Sequence, residues 1–288
     1  MQRVVLVGLG HAHLYVGARA EEFWRKGLKL TLIDDGEFWY SSIGSGMLGG
    51  RYERTDDVIE AEAFSARHGI NFVRGRAVSA DRTARSVLLE DGRTVPYDLL
   101  SLNVGSHVEP PFPASGDGIL SPKPISGLLR LREDLKTQFQ AGKRVRWTTI
   151  GGNHSGCELT QNAMALARAE GGHLDATLDT GSSALIENEP PGARRAMRNV
   201  LEAAGCRFLF ETNVVSISDG MIALADGGQV AFDTAMVATG LQPSEFNHSA
   251  GLKYDDAGLV VTPCLHSPED ARIFAAGDCA SIAGYDLP

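Results

Sequence analysis

The chain has 288 residues, 43% of them apolar and 22% charged, which is enough for two domains with cores of their own. Its net charge of −9 argues against a nucleic-acid partner and against adhesion to an anionic membrane surface. No stretch approaches the ~20 apolar residues that span a bilayer, and the N-terminal apolar run passes into a glycine turn rather than a signal-peptide cleavage site. The expected location is the cytoplasm, or the inner face of a membrane as a peripheral protein.

In chain order, Arg3 to Val7 reads as a short parallel strand that stops on Gly8-Leu9-Gly10. This is the strand-then-Gly-x-Gly opening of a dinucleotide-binding βαβ unit, in which a tight turn brings backbone amides to a pyrophosphate. His13 to Lys26 follows as one helix, with Leu14, Ala18 and Phe23 on roughly one face. Lys29 to Ile33 is the next strand and ends at Asp34-Asp35. A carboxylate at this distance from the glycines suits a ribose hydroxyl, and Asp34 is the better candidate because it directly follows the apolar residues; the alternative is a simple turn start. Phe38 to Tyr52 mixes glycine, serine and aromatics, as in a loop whose backbone passes close to a flat ligand.

A β-rich stretch runs from Asn71 to Asp98 with a turn at Asp91-Gly92, and leads into Leu99 to Asn103 and Gly105. Pro110-Pro111-Phe112-Pro113 marks a connection between domains. Leu128 to Gln140 reads as a helix. Val145 then begins a second strand-glycine element, Gly151-Gly152-Asn153-His154-Ser155-Gly156-Cys157-Glu158, heading a helix to about Ala169. His173 to Asp179 is its next strand, Glu202 to Asp233 a further strand and hairpin region, and Ala235 to Gly240 again a strand that stops on glycine. Gly258 to Thr262 returns the chain to Ile273–Asp278, a buried strand that delivers an Asp at its C-terminal end, where ligands of open α/β sheets bind. The expected architecture is α/β, with two Rossmann-like dinucleotide-binding domains. Residues 1–112 plus 246–288 form a discontinuous FAD-binding domain, and residues 113–245 form an NAD(P)-binding-like domain inserted in it.

Cys157, Cys206, Cys264 and Cys279 form no Cys-x-x-Cys pair, which speaks against a disulfide-stapled domain and against a local redox dithiol. Each reads first as a small buried hydrophobe. Cys157 stands out because it falls in the first turn of a helix, where the dipole lowers a thiol's pKa. His11 and His13 are two positions apart at a helix start, a poor ligand spacing, so no metal site is expected; their amides face phosphate and their rings pack locally, as does His154.

On these segments the chain resembles the pyridine-nucleotide–disulfide oxidoreductase-like flavoproteins with two dinucleotide-binding domains, over nearly its whole length. Gly8-x-Gly10 with Asp34 looks like that family's FAD pyrophosphate and ribose site, Ala238-Thr239-Gly240 like its Ala-Thr-Gly motif, and Phe274-Ala275-Ala276-Gly277-Asp278 like the motif whose Asp holds the flavin ribitol. Gly8-Leu9-Gly10-His11-Ala12-His13 has the Gly-x-Gly-His-x-His form of the NADH-dehydrogenase-like and sulfide-quinone-reductase-like branch, particularly the type fused to selenide, water dikinase. His13 stands where most dinucleotide folds have a third glycine. Tyr40 to Gly46, with Gly49-Gly50-Arg51-Tyr52, is similar to that branch's Tyr-Ser-Gly-Met-Leu-Pro-Gly segment. The resemblance implies an FAD site drawn from Gly8, Gly10, His11, Ala12, His13, Asp34, Asp35, Ser41, Val78, Gly105, Gly277 and Asp278. It implies an NAD(P) site, for NADH or NADPH, drawn from Gly151, Gly152, Asn153, His154, Ser155, Gly156, Glu158 and Gly240.

Three departures qualify what the resemblance implies. The cysteine pair of disulfide-reducing members is missing. Asn153 occupies the middle glycine position of the second loop, where a side chain hinders backbone approach to a pyrophosphate, and Thr180 with Asp179 stands where the usual acid falls, with no adjacent Arg to point to a 2′-phosphate. The sequence stops ten residues after Asp278, where the family continues into a C-terminal interface domain, so the expected fold lacks that domain and would leave reduced flavin open to water and oxygen. The expected function is an FAD-dependent oxidoreductase that passes hydride from NAD(P)H to flavin and on to a small quinone-like acceptor, with a homodimer compatible. Two alternatives stay open: a sulfide-type reductase with a Cys157 relay, and a non-catalytic flavin-binding remnant.

Overall fold

The computed structural model describes residues 1–244, 246, 251–282, 284 and 285, which form two compact units. The first takes Met1–Phe38, Val58–His107 and the described residues from Leu241 on; the second takes Trp39–Asp57 and Val108–Gly240.

The first unit is built on a five-stranded parallel sheet in the order Ile273–Ala275, Leu99–Leu102, Gln2–Val7, Leu28–Asp34, Asn71–Arg74. Its central strand reads as a continuous apolar run, Val4 to Val7, because it is covered on both faces, as parallel strands are. An antiparallel three-stranded sheet, Ala77–Asp81, Ser86–Leu89 and Thr94–Pro96, accounts for the β-rich stretch. The second unit repeats the design, with parallel strands Ile119–Leu120, Thr234–Val237, Arg144–Ile150, His173–Thr180 and Arg207–Phe210 in that order, and an antiparallel sheet over Val214–Ala231. The architecture is therefore α/β, with a Rossmann-like parallel sheet in each unit.

Two expectations about local structure are corrected, and one helix is added. The single helix over His13–Lys26 is two helices, His11–Gly17 and Ala20–Arg25. Gly17 is a poor helix former, and Arg19 leaves the helical region at φ −112°, ψ 20°. A Cβ on Gly17 would meet the Phe64 ring at 2.6 Å, so close packing selects the residue that also ends the helix.

The loop expected over Phe38–Tyr52 contains a turn of 3-10 helix, Ser41–Ile43, and a short helix, Gly44–Leu48, with Met47 and Leu48 fully buried. Its glycines serve contact rather than mobility, since a Cβ on Gly46 would meet the Tyr52 ring at 2.6 Å. Buried Arg132, on the Ser126–Gln140 helix, donates to the carbonyls of Met47 and Tyr52 at 3.2 Å each and to Glu53 at 2.7 Å, which pins the segment in place.

The added helix is Pro191–Ala204. It starts on Pro and ends at Gly205 in the left-handed conformation, φ 96°.

Candidate functional site

In each unit the central parallel strand ends on a glycine that the backbone needs. Gly8 (φ 83°) donates its N–H to Ile33 O, and Gly151 (φ 120°) donates to Asp179 O. The adjacent strand closes the far side in the same way, with Asn103 N–H on Val7 O and Ala238 N–H on Ile150 O. A Cβ on Gly8 would strike the Asn103 carbonyl at 2.6 Å, and one on Gly151 would strike the Ala238 carbonyl. Asn103 and Ala238 are thus equivalent positions.

That equivalence shows how the two loops are held. In the second unit Asn153 caps the His154–Ala169 helix, its Oδ1 accepting from Gly156 N–H at 2.9 Å, while its Nδ2 donates to Ala238 O at 2.7 Å. The amide is consumed within its own turn rather than left as an obstruction. In the first unit the cap position is Gly10, which has no side chain, and Asn103 supplies the amide from the neighbouring strand. Its Oδ1 accepts from His13 N–H at 3.3 Å and its Nδ2 donates to Ala276 O at 2.6 Å. Gly10 and Gly277 pack on this amide: a Cβ on Gly10 would land on Oδ1, and one on Gly277 would lie 2.8 Å from Nδ2. Three glycines singled out from the sequence, Gly8, Gly10 and Gly277, therefore converge on Asn103. In the sequence Asn103 stands out only as the end of a strand, a polar residue closing the run Leu99–Leu102.

His13 is buried at 1% exposure beneath the same loop. Nδ1 lies 2.5 Å from Gly8 O and Nε2 lies 2.8 Å from Ser101 Oγ, so the neutral ring donates at Nδ1 and accepts the Ser101 hydroxyl at Nε2. Burial lowers its pKa to about 4, against the opposing pull of the Gly8 carbonyl. His11 is exposed, its ring edge-on to Phe38 at 5.0 Å, and Ala12 is half-buried in the same turn.

A cavity of about 740 Å³ opens at this edge of the first sheet. Gly8, Asp34, Asp35 and Val78 line it, along with Ser106 and His107. Asp34 is committed to the loop, with Oδ2 accepting from Leu9 N–H at 2.7 Å and Oδ1 from Gly36 N–H at 2.8 Å. Burial nevertheless raises its pKa, the two N–H donors pulling the other way. Asp278 stands beside the lining, its Oδ2 accepting from Ser106 Oγ at 2.8 Å; Gly105 (φ 70°) lies one residue before Ser106. Ser41 lies in the second unit, exposed at the start of the 3-10 turn.

In the second unit His154, Ser155 and Glu158 are exposed on the first turns of the helix, and Gly152 and Gly156 are buried under them. Glu158 accepts from Ser45 Oγ at 3.0 Å, and His154 Nε2 lies 3.4 Å from Glu189. Gly240 (φ 124°) follows the Thr234–Val237 strand. Cys157 reverses the expectation of a lowered pKa. It is fully buried, donates weakly to Gly152 O at 3.6 Å, and is pushed up to about 12 by burial with the Glu158 charge adding to it. Desolvation of the thiolate outweighs the helix dipole here.

The profile of one family, described as pyridine nucleotide-disulphide oxidoreductase, matches residues 2–287. Ferroptosis suppressor protein 1 of Xenopus tropicalis is 23% identical over 296 residues, which is 97% of this chain and 74% of that protein. A nitric oxide reductase FlRd-NAD(+) reductase of Vibrio vulnificus (strain YJ016) is 26% identical over 267 residues, 91% of this chain and 67% of that one. Among solved structures, the ferredoxin reductase for the CYP199A2 system from Rhodopseudomonas palustris superposes with a TM-score of 0.84 at 22% identity, covering 98% of this chain and 69% of that one, a likeness of fold. No helix among the described residues is long and apolar enough to cross a membrane.

Proposed function

Because the chain belongs to the pyridine nucleotide-disulphide oxidoreductase family, whose members depend on FAD and NAD(P)H, we propose that it is a flavin-dependent NAD(P)H oxidoreductase with a site in each unit. The first unit holds FAD in the cavity at Gly8, Asp34 and Val78; the second holds the nicotinamide nucleotide at Gly151–Glu158. The observation that carries this reading is the matched pair of glycine loops, each at the tip of a central parallel strand and each fixed by one asparagine amide.

The residues fit the flavin nucleotide. The cavity volume is within the range of about 300–1,000 Å³ usual for cofactor sites, and it lies at the C-terminal ends of parallel strands, where such ligands bind. Asn103 and His13 hold the Gly8–His13 turn in shape so that its backbone stays ordered. Asp34 sits where a ribose hydroxyl would be met, and Ser106 orients Asp278. FAD bound there would supply the redox chemistry, hydride acceptance from NAD(P)H and electron delivery to an acceptor. The protein's part is to hold, orient and exclude water; no side chain is assigned as acid, base or nucleophile. A small quinone-like acceptor is the reading we favour. A cysteine relay is disfavoured by the burial of Cys157 and Cys206, both of whose pKa values are pushed up to about 12 by burial. Against the remnant reading stands Asn153, whose amide is turned into its own loop.

The test is a visible spectrum of the purified protein, followed by anaerobic addition of NADH and then NADPH. Flavin bands near ~450 nm that bleach are the expected result. Bands that persist with both nucleotides would refute the second site, and a protein that neither carries nor takes up FAD would refute the first.

A further inference from the structure

The second unit has another concavity, of about 300 Å³, that the electron-transfer reading leaves unused. Ser183 and Ala184, just after the His173–Thr180 strand, form one side, and Phe210 at the end of the neighbouring strand forms another. The remaining wall is the Pro191–Ala204 helix, from which Arg194, Arg195 and Arg198 reach the same cavity. Arg198 stands three and four residues after Arg195 and Arg194, the spacings that make it a neighbour of each on the helix surface, and all three line the concavity. Arg198 is engaged by Glu202 at 2.8 Å and lies 5.4 Å from the centre of the Phe210 ring. Arg194 and Arg195 make no ion pair among the described residues. Glu187 rests on Ser183, accepting from its hydroxyl at 3.0 Å and its N–H at 3.4 Å, and feels the charge of Arg194. An anion thus sits on the donors that a phosphate would use.

Position gives this charge a meaning. In parallel α/β sheets a dinucleotide lies across the C-terminal strand ends, with its adenosine ribose over the tip of the second strand. A carboxylate at that tip selects a free 2′-hydroxyl, whereas an arginine accepts a 2′-phosphate. Here Asp179, at that tip, is 2% exposed and committed to the Thr212 hydroxyl at 2.6 Å, so it presents no charge to a ligand. The sequence shows no arginine beside Thr180; the fold returns Arg194 and Arg195 to that end of the sheet by way of the helix. We propose that this cavity accepts the 2′-phosphate of an adenosine dinucleotide, so that NADPH rather than NADH is the reductant. The inference rests on the nucleotide reading of the Gly151–Glu158 loop and deepens it.

The test is calorimetric binding to the full flavin-loaded chain of adenosine 2′,5′-bisphosphate, 5′-AMP and inorganic phosphate, each alone. The expected result is that the bisphosphate binds at least about tenfold tighter than 5′-AMP, the scale of one charge-assisted pair, and that added salt erodes the preference. In an Arg194→Ala/Arg195→Ala variant whose unfolding temperature matches the parent, the preference falls toward unity. Equal affinities in the parent, or a preference that the variant keeps, would overturn the assignment and leave the nucleotide loop standing. Inorganic phosphate binding as tightly as the bisphosphate would make the cavity a free-phosphate site and overturn it as well. Binding of none of the three would overturn both readings.

Discussion

Asn103→Ala is the most direct perturbation of the flavin site. It deletes the acceptor at His13 N–H and the donor at Ala276 O, both inside the protein. Two hydrogen bonds at about 1 kcal/mol net, with buried partners left unpaired at about 1–3 kcal/mol, give a loss of roughly 2–4 kcal/mol. That corresponds to a fall in unfolding temperature of roughly 5–15 °C. FAD affinity should fall at least tenfold, since about 1.4 kcal/mol of lost loop order suffices for that factor. The sharper version is a double-mutant cycle. Gly10→Asn alone should be destructive, because its Cβ would land on Asn103 Oδ1. Gly10→Asn with Asn103→Ala rebuilds in the first unit the arrangement of Asn153 and Ala238 in the second. The pair should therefore recover more than about 1 kcal/mol relative to the sum of the single changes. Thermal unfolding by circular dichroism and FAD titration of the apoprotein measure both quantities. An Asn103→Ala protein with parental stability and FAD affinity, or strictly additive losses in the cycle, would refute the argument that this amide holds the loop.

Three further outcomes follow from the same geometry. His13 titrates at about 4 when folded, against 6.5 for an ordinary histidine. Folding therefore favours the neutral ring: its contribution is complete above pH 6.5 and drains away toward pH 4, on the order of 3 kcal/mol in all. Urea unfolding of the parent should weaken more between pH 7 and 4.5 than that of His13→Gln, and parallel pH profiles would contradict this. Among the four thiols, Cys264 is exposed and the others are buried, so brief alkylation of the native protein should label Cys264 alone by mass spectrometry; labelling of Cys157 would reopen the relay. Gly151→Ala should abolish bleaching by nicotinamide nucleotides while leaving the flavin spectrum, because φ is 120° and the new Cβ meets the Ala238 carbonyl. Bleaching at the parental rate would show that the loop tolerates a side chain.

The parallel strands were legible in the sequence wherever an apolar run stopped on glycine, as at Val7-Gly8 and Ile150-Gly151. Periodicity failed where a contact distant in sequence decided the outcome. Gly17 breaks the first helix because Phe64 packs on it, and Gly44 to Leu48 form a helix under the hold of Arg132, some 85 positions away. The Pro191–Ala204 helix had its punctuation in plain view, Pro at one end and Gly205 at the other. Of the candidate site, the glycines were visible and the reason for them was not. They are glycines because of Asn103, whose role depends on strand order, and Cys157 could not be placed on the buried side of its helix from local pattern alone.

The connectivity of the first sheet also shapes how the chain comes off the ribosome. The Leu99–Leu102 strand waits for Ile273–Ala275 to pair beside it, and the Asn103–Ala276 bond spans 173 residues. At about 5–20 residues per second, synthesis of that interval takes roughly 10–35 s. Throughout it a strand whose Leu100 and Leu102 end fully buried has an unpaired edge, the kind that other chains add to. The second unit, whose parallel strands all lie between residues 119 and 237, is complete well before then. Nascent-chain aggregation should therefore concentrate in the window before the last strand emerges, and the late Ile273–Ala275 segment acts as the latch that closes it.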